Sequence, residues 1–177
     1  RCKTARDAVN ITGQLIDEYG YYGTGETLIY GDPEEVWVME MCGGTPSGKG
    51  GYWAAQKVTD GEFFVAANQF RIREIDPSNS DQVCCKNLFA DAEAMKWWNP
   101  SNGSLDWAAV FGAGEYSHPY YSLSRVWRIF DRVAPSLNLS PYVEGPFTKK
   151  YPFSVVPDEP INLTEAFDLY RDHYEGT

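Results

Sequence analysis

Short apolar runs, rich in β-branched and aromatic residues, follow one another between positions 27 and 67, and Gly, Pro and Asp separate them. Such runs predict an antiparallel meander, with strands at 27–30, 36–41, 52–58 and 63–67. Alternation places Val36, Val38 and either Glu40 or its neighbours on one face of the second strand, with Trp37 and Met39 on the other. Because both faces carry apolar side chains, we expect the sheet to be covered on both sides.

Apolar residues recur at intervals of three and four in other segments, which indicates helices. The first helix occupies the segment 1–20, with Thr4 at its start and Gly20 at its end. The block 81–134 is predicted to be helical, with helices at 83–97, 105–111 and 122–133. The block 135–177 is irregular and ends in a short helix capped by Asn162 or Thr164. With the sheet assigned to 27–75, no linker divides the chain, and we predict a single domain.

Composition and charge limit the kinds of partner that we expect for this chain. Its 177 residues are 43% hydrophobic and 23% charged, which is enough apolar surface for a folded core. The net charge is -10 and no basic stripe is present, so a nucleic-acid partner is not expected. No apolar run approaches the roughly 20 residues of a membrane helix, so no membrane span is expected.

The cysteines and histidines do not form a metal-binding pattern. The cysteines lack paired C-x-x-C spacing, and we expect free thiols, mostly buried, at Cys2, Cys42, Cys84 and Cys85. His118 and His173 belong to no metal-ligand motif. The sequence therefore predicts neither a metal nor a cofactor.

The glycine-rich segment 43–50 partly matches a phosphate-binding loop. Its spacing fits G-x-x-x-x-G-K, but Gly50 stands where a Ser or Thr would hold magnesium. A strand also follows where that motif requires a helix. We therefore predict a plain hairpin loop.

Several short motifs occur in a characteristic order and spacing over nearly the whole chain. They are Glu18-Tyr19-Gly20-Tyr21-Tyr22, Gly25-Glu26-Thr27, Asp32-Pro33, Glu35-Val36-Trp37-Val38-Met39-Glu40, Trp53-Ala54-Ala55, Asp60-Gly61, Ala67-Asn68 and Arg171-Asp172-His173-Tyr174-Glu175-Gly176-Thr177. Together they resemble the C69 family of bacterial dipeptidases, which are N-terminal-nucleophile hydrolases. The resemblance implies an α+β fold, the four-layer αββα sandwich. It also implies a dipeptide substrate and hydrolysis through a cysteine thioester.

Members of that family use a cysteine at the mature N-terminus, whose own α-amino group is the general base. Cys2 is preceded by Arg1 and lies where a helix begins, so it does not meet this requirement. We therefore expect the chain to be an internal fragment of a longer enzyme, inactive by itself. Its partner would be the remainder of the same enzyme, which carries the N-terminal cysteine. A homo-oligomer is left open.

The resemblance also suggests catalytic residues. Asn68 ends the last predicted strand, as does an Asn of the oxyanion hole in the related penicillin V and bile-salt acylases. The segment 122–128 resembles their S-x-S-R-x-x-R segment, whose first arginine, here Arg125, lies beside the nucleophile. A turn-forming Asn and a solvated helix Arg are the structural alternatives. Nearness to the end of the sheet suggests substrate-binding roles for Glu26, Trp53, Arg71 and Arg73.

Two other functions are consistent with the sequence. The first keeps the hydrolase fold but changes the substrate to an N-acyl amide, as in the acylase branch. The second is a non-catalytic binding domain with an exposed aromatic face. The aromatic residues considered for that face are Trp97, Trp98, Trp107, Tyr120 and Tyr121.

Overall fold

A computed structural model of the chain describes residues 1–44, 50–112 and 120–176. The helices are α1 (Ala5–Tyr19), α2 (Leu88–Ala94), α3 (Trp107–Phe111), α4 (Tyr120–Val133) and α5 (Leu163–Tyr170). The strands are β1 (Glu26–Gly31), β2 (Val36–Cys42), β3 (Tyr52–Val58), β4 (Phe63–Phe64), β5 (Glu74–Ile75), β6 (Gln82–Cys84), β7 (Leu105–Asp106) and β8 (Ser154–Val155). This mixture of helix and sheet confirms the predicted α+β class.

The chain divides into two compact units. The first consists of Arg1–Asp60 with Gln69–Ala113, and the second of Gly61–Asn68 with Gly114–Thr177. The prediction of a single domain stays a prediction. Within the described ranges, no helix is long and apolar enough to cross a bilayer.

The first unit is built on an antiparallel sheet with the strand order β1-β2-β3-β6. Met41 lies opposite Trp53, and Glu40 lies opposite Ala54, so each pair shares a face. In β2 every residue after Val36 is buried, which confirms that both faces of the sheet are covered. Cys42 and Tyr52 are paired across the hairpin, as expected for the glycine-rich segment, although residues 45–49 lie outside the described residues.

Helix α1 covers one face of this sheet. The Thr4 side chain caps the helix by accepting a hydrogen bond from the Asp7 backbone N–H at 3.0 Å, as predicted. Val9 and Ile16 are buried, and Gly13 lies against the Trp53 ring. A Cβ at position 13 would overlap that ring, so the close approach of helix and sheet requires glycine here.

Short elements from 70 to 111 cover the other face. Ile72 and Trp107 are fully buried there. The Tyr52 hydroxyl donates to Asp91 Oδ2 in α2 at 3.0 Å, and its ring lies 4.8 Å from that of Phe111. This face of the sheet is therefore covered by residues that follow the meander in the chain.

Strand pairing changes the bounds of three predicted elements. The helix predicted from position 83 begins at Leu88, because Gln82–Cys84 pair with β3 as an edge strand. The helix predicted from 105 begins at Trp107, because Leu105–Asp106 pair with β5. The strand predicted at 63–67 ends at Phe64, because β8 provides only two partner residues. Pairing with distant residues sets these bounds. Periodicity within a segment contains no information about such pairing.

The second unit has its core around α4. Leu123, Val126 and Phe130 form a buried stripe on this helix, and Tyr151 and Val155 pack in the same cluster. Helix α5 begins at a capping box, in which the Asn162 side chain accepts from the Glu165 N–H and the Glu165 carboxylate accepts from the Asn162 N–H. Asn162, rather than Thr164, is therefore the cap.

Candidate functional site

Asn68 and Arg125 are 57 residues apart in sequence and are in contact in the second unit. The Arg125 Nη2 group donates to Asn68 Oδ1 at 3.1 Å and to Ser122 Oγ at 3.3 Å. The Asn68 backbone N–H donates to the same Ser122 oxygen at 3.0 Å. Two residues that the sequence suggested for separate reasons therefore belong to one hydrogen-bonded group.

Helix α4 holds the Arg125 side chain in one direction. Ser122 and Arg125 are three residues apart and therefore lie on neighbouring parts of the helix surface. The Arg125 Nε group donates to the Tyr121 carbonyl at 2.8 Å, and the guanidinium lies 4.7 Å from the centre of the Tyr121 ring. These contacts restrict the rotamers of a side chain that would otherwise be mobile.

This arrangement orients the Asn68 amide. Because Oδ1 accepts from Arg125, the Nδ2 group is directed away from the guanidinium. Asn68 is exposed, so its amide hydrogens are open to a ligand. The group can donate a hydrogen bond to a negatively charged oxygen, with a fixed positive charge close by.

Ser122 is the member of this group that sequence reasoning did not single out. Its side chain is fully buried, and its hydroxyl accepts from both the Asn68 backbone and Arg125. A polar residue on the buried stripe of an amphipathic helix was the available signal.

The predicted substrate-binding residues all lie in the first unit. Glu26 is exposed at the start of β1, whereas Trp53 is buried and its Nε1 donates to Asp17 Oδ1 at 3.0 Å. Arg71 is buried as well. Arg73 makes a two-point ion pair with Asp106, at 2.8 Å from Nε and 2.5 Å from Nη2. Their role in substrate binding stays a prediction.

A buried carboxylate, Glu40, also escaped the sequence reasoning. Its Oε1 accepts from the Arg71 N–H at 2.5 Å, and its Oε2 accepts from the Ile72 N–H at 3.3 Å and from Trp107 Nε1 at 2.9 Å. Burial raises the pKa of Glu40 to about 8, although the hydrogen bonds and the nearby Arg71 act in the opposite direction. An acid in the middle of an apolar strand was the signal in the sequence.

The four cysteines are free thiols, as predicted. Burial raises the pKa of Cys42 and of Cys85 to about 12, and it also raises the pKa of Cys84. Cys2 is exposed. Since the thiolate is the reactive form, the three raised pKa values disfavour nucleophilic attack by Cys42, Cys84 or Cys85 at neutral pH.

The first unit also contains an open cavity of about 540 Å³. Tyr52, Trp97 and Phe111 line it together with Cys42 and the backbone of glycine residues. The Tyr52 hydroxyl donates to Asp91, and burial raises the pKa of the Cys42 thiol to about 12. Among the described residues, the walls of the cavity are therefore largely aromatic.

The described residues contain no group of three or more His, Cys, Asp or Glu side chains that could hold a metal ion. His173 is exposed, and His118 lies outside the described residues.

The prediction of an exposed aromatic face, made for a binding domain, is wrong for one of its residues. Trp107 is fully buried, because its ring stacks between Phe70 and Phe111 and its Nε1 donates to Glu40. Trp98 is half-buried and donates to the Gly103 carbonyl at 3.1 Å. The other aromatic residues considered for that face are exposed: Trp97, Tyr120 and Tyr121.

Comparison with known proteins gives a consistent result. The model of the family described as Peptidase family C69 matches residues 1–177. A probable dipeptidase of Salmonella dublin is 26% identical over 176 residues, which cover 99% of this chain and 38% of that protein. A probable dipeptidase B of Lactococcus lactis subsp. lactis is 28% identical over 182 aligned positions, covering 99% and 35%. The chain thus spans little more than a third of the length of these curated relatives.

Proposed function

This chain belongs to peptidase family C69, and from that membership we propose that it is part of a cysteine-dependent dipeptidase that hydrolyses dipeptides through a thioester intermediate. The observation that carries the proposal is the hydrogen bond from Arg125 to the Asn68 amide oxygen, at 3.1 Å. It directs the amide N–H groups outward, as a donor to a developing oxyanion requires.

In this mechanism a thiolate attacks the peptide carbonyl carbon, and a C–S bond forms. The α-amino group of the nucleophilic cysteine accepts the thiol proton. The tetrahedral oxyanion accepts a hydrogen bond from Asn68 Nδ2. Its collapse breaks the C–N bond, and the leaving amine takes the proton from the α-ammonium group. Water then hydrolyses the thioester, which releases the amino acid and regenerates the thiol.

The nucleophile comes from another segment of the enzyme in this proposal. The raised pKa values of Cys42, Cys84 and Cys85 support that assignment, because these thiols remain protonated at neutral pH. Arg125 contributes positive charge, which favours the thiolate over the thiol.

The whole enzyme has the four-layer αββα sandwich in this proposal. Its support is the sheet of the first unit, in which residues 37–42 of β2 are buried on both faces. Such double coverage is what a sheet in the interior of a layered fold requires.

The test replaces Asn68 with Ala in the whole enzyme. Loss of one oxyanion donor is expected to lower kcat by about 100- to 1,000-fold with a small change in KM. Asn10→Ala, at an exposed position of α1, is the matched control and should retain activity. Activity of the Asn68→Ala enzyme equal to wild type would refute the assigned role.

The substrate is tested separately, with dipeptides and N-acyl amino acids in parallel assays of the wild-type enzyme. Faster turnover of dipeptides supports the dipeptidase, and faster turnover of N-acyl amides supports the acylase alternative. Mass spectrometry of the quenched reaction should show an acyl group attached to a cysteine. An acyl group attached to a serine, or none under single-turnover conditions, would rule out the thioester.

A further inference from the structure

The turn that follows α5 is organised around one arginine of α4. Arg128 donates through Nε and Nη2 to the two oxygens of Asp172, at 2.8 Å each. Its Nη2 group also donates to the Glu175 carbonyl at 2.7 Å. The Asp172 side chain is only 5% exposed, so this is a two-point ion pair largely shielded from solvent.

The turn is also held by its own hydrogen bonds. The Tyr174 N–H donates to Asp172 Oδ1 at 2.9 Å, and the His173 N–H donates to Glu175 Oε2 at 2.8 Å. Tyr174 has a φ of 66°, in the left-handed region that a non-glycine residue seldom adopts. Such a conformation persists where the surrounding contacts determine it. Here the contacts direct Tyr174 towards α4.

Tyr174 contacts α4 one turn away from Arg128. Its hydroxyl lies 3.2 Å from Ser124 Oγ, and the Ser124 hydroxyl also donates to the Tyr120 carbonyl. The turn therefore touches α4 at positions 124 and 128, which are neighbours on one side of the helix. Arg125 directly follows Ser124.

We propose that Asp172 and Tyr174 are positioning residues, which hold α4 so that Arg125 stays bound to the Asn68 amide. This inference rests on the proposed function, because it acts through Asn68 and Arg125. On one side, α4 is held by the contact between Tyr174 and Ser124. On another side, it is held by the hydrogen bond from the Asn68 backbone N–H to Ser122. A small displacement of α4 would lengthen the bond from Arg125 to Asn68, and misplacement of catalytic groups lowers the rate of chemistry.

The test is a double-mutant cycle in the whole enzyme, with Tyr174→Phe, Ser124→Ala and the double variant. Each single substitution is expected to lower kcat about fivefold, the effect of one hydrogen bond, with KM unchanged. Ser124→Ala removes the contact with Tyr174 and also the hydrogen bond to the Tyr120 carbonyl, so the double variant should be no slower than Ser124→Ala alone. Tyr170→Phe, at a position 93% exposed, is the matched control and should behave as wild type.

Wild-type kcat in both single variants would overturn the inference, as would losses that multiply in the double variant. A change in KM alone would also overturn it, since that would indicate substrate binding rather than positioning. Thermal unfolding of each variant checks that the fold is intact. If a variant unfolds at the assay temperature, the cycle is repeated below its unfolding temperature.

Failure of this inference differs from failure of the proposed function. Asn68→Ala and Arg125→Gln are assayed beside the cycle. If both retain wild-type activity, the proposed function is wrong. If both lose activity while Tyr174→Phe and Ser124→Ala do not, only the positioning role is wrong.

Discussion

Glu40 in the first unit and Asp172 in the second are carboxylates removed from solvent, but their partners differ in charge. Neutral groups donate to Glu40: the backbone N–H groups of Arg71 and Ile72 and the indole of Trp107. Two guanidinium groups, those of Arg128 and Arg132, donate to Asp172.

The two pKa values move in opposite directions as a result. Burial raises the pKa of Glu40 to about 8, and its hydrogen bonds and the nearby charge of Arg71, which does not bind it directly, only partly oppose this. Hydrogen bonds from Arg128 hold the pKa of Asp172 well below its usual range, against a smaller effect of burial. Both carboxylates have several donors, so the number of hydrogen bonds does not explain the difference. Directly bound positive charge compensates for lost hydration, and neutral donors compensate only in part.

The largest effect is expected from Glu40→Ala. The substitution leaves a buried cavity and removes the acceptor of three buried N–H groups, so the free energy of unfolding should fall by about 4 kcal/mol. Urea unfolding measures the total. Hydrogen exchange of the peptide containing Arg71 and Ile72 locates the effect in the first unit.

Glu93→Ala, at an exposed position of α2, is the control and should change stability by less than about 0.5 kcal/mol. A loss below about 1 kcal/mol for Glu40→Ala would mean that the hydrogen bonds of Glu40 do not hold the segment 71–72.

A smaller loss is expected from Asp172→Asn, which removes the negative charge but keeps the shape of the side chain. Arg128, whose side chain is 11% exposed, then loses its ion pair with Asp172 and keeps the more distant one with Asp131 at 3.9 Å, and stability should fall by about 2 kcal/mol. Faster hydrogen exchange in the peptide containing Tyr174 would show that the turn opens. Asp168→Asn, whose pairing with Arg171 at 3.7 Å is exposed to solvent, should have little effect. Equal losses of stability in Asp172→Asn and Asp168→Asn would show that the buried ion pair of Asp172 contributes no more than the exposed pair of Asp168.

The pH dependence of stability separates the two carboxylates directly. Because the folded state raises the pKa of Glu40, its favourable contribution is complete below about 4.5 and is lost as the pH rises through about 8. Between pH 6 and pH 7, wild type should lose about 1 kcal/mol relative to Glu40→Gln. Asp172 has a lowered pKa, so its contribution is complete above about 3.8 and is lost only at lower pH.

Asp172→Asn should therefore leave the slope of stability against pH unchanged between pH 6 and pH 7. Urea unfolding at the two pH values provides both measurements. Parallel pH curves for wild type and Glu40→Gln would show that Glu40 does not titrate in this range.

The smallest effect is expected from Arg132→Gln. Arg132 makes one contact with Asp172, at 2.6 Å, and its side chain is 36% exposed, whereas Arg128 makes two contacts and is 11% exposed. The loss of stability should be about 0.5 kcal/mol, against about 2 kcal/mol for Arg128→Gln. Urea unfolding of both variants tests the ranking, and a reversed order would make Arg132 the main partner of Asp172.

Local patterns predicted the long elements of this chain. The strands β1, β2 and β3, the helix α1 with its Thr4 cap, and the amphipathic stripe of α4 follow from periodicity and capping residues within each segment. The short elements did not follow, because β6 and β7 exist only where β3 and β5 offer backbone partners. For the candidate site, Asn68 and Arg125 came from motif resemblance, but their contact did not.

The sequence by itself determined the family, the α+β class and the double coverage of the central sheet, because each follows from the order and alternation of residues along the chain. Only the tertiary structure decided which polar groups meet. Asn68 meets Ser122 and Arg125, Glu40 receives three N–H groups, and Asp172 receives two arginines, all across long separations in sequence. The physical reason is that hydrogen bonding and desolvation depend on distance in space, and a linear pattern contains no such distance.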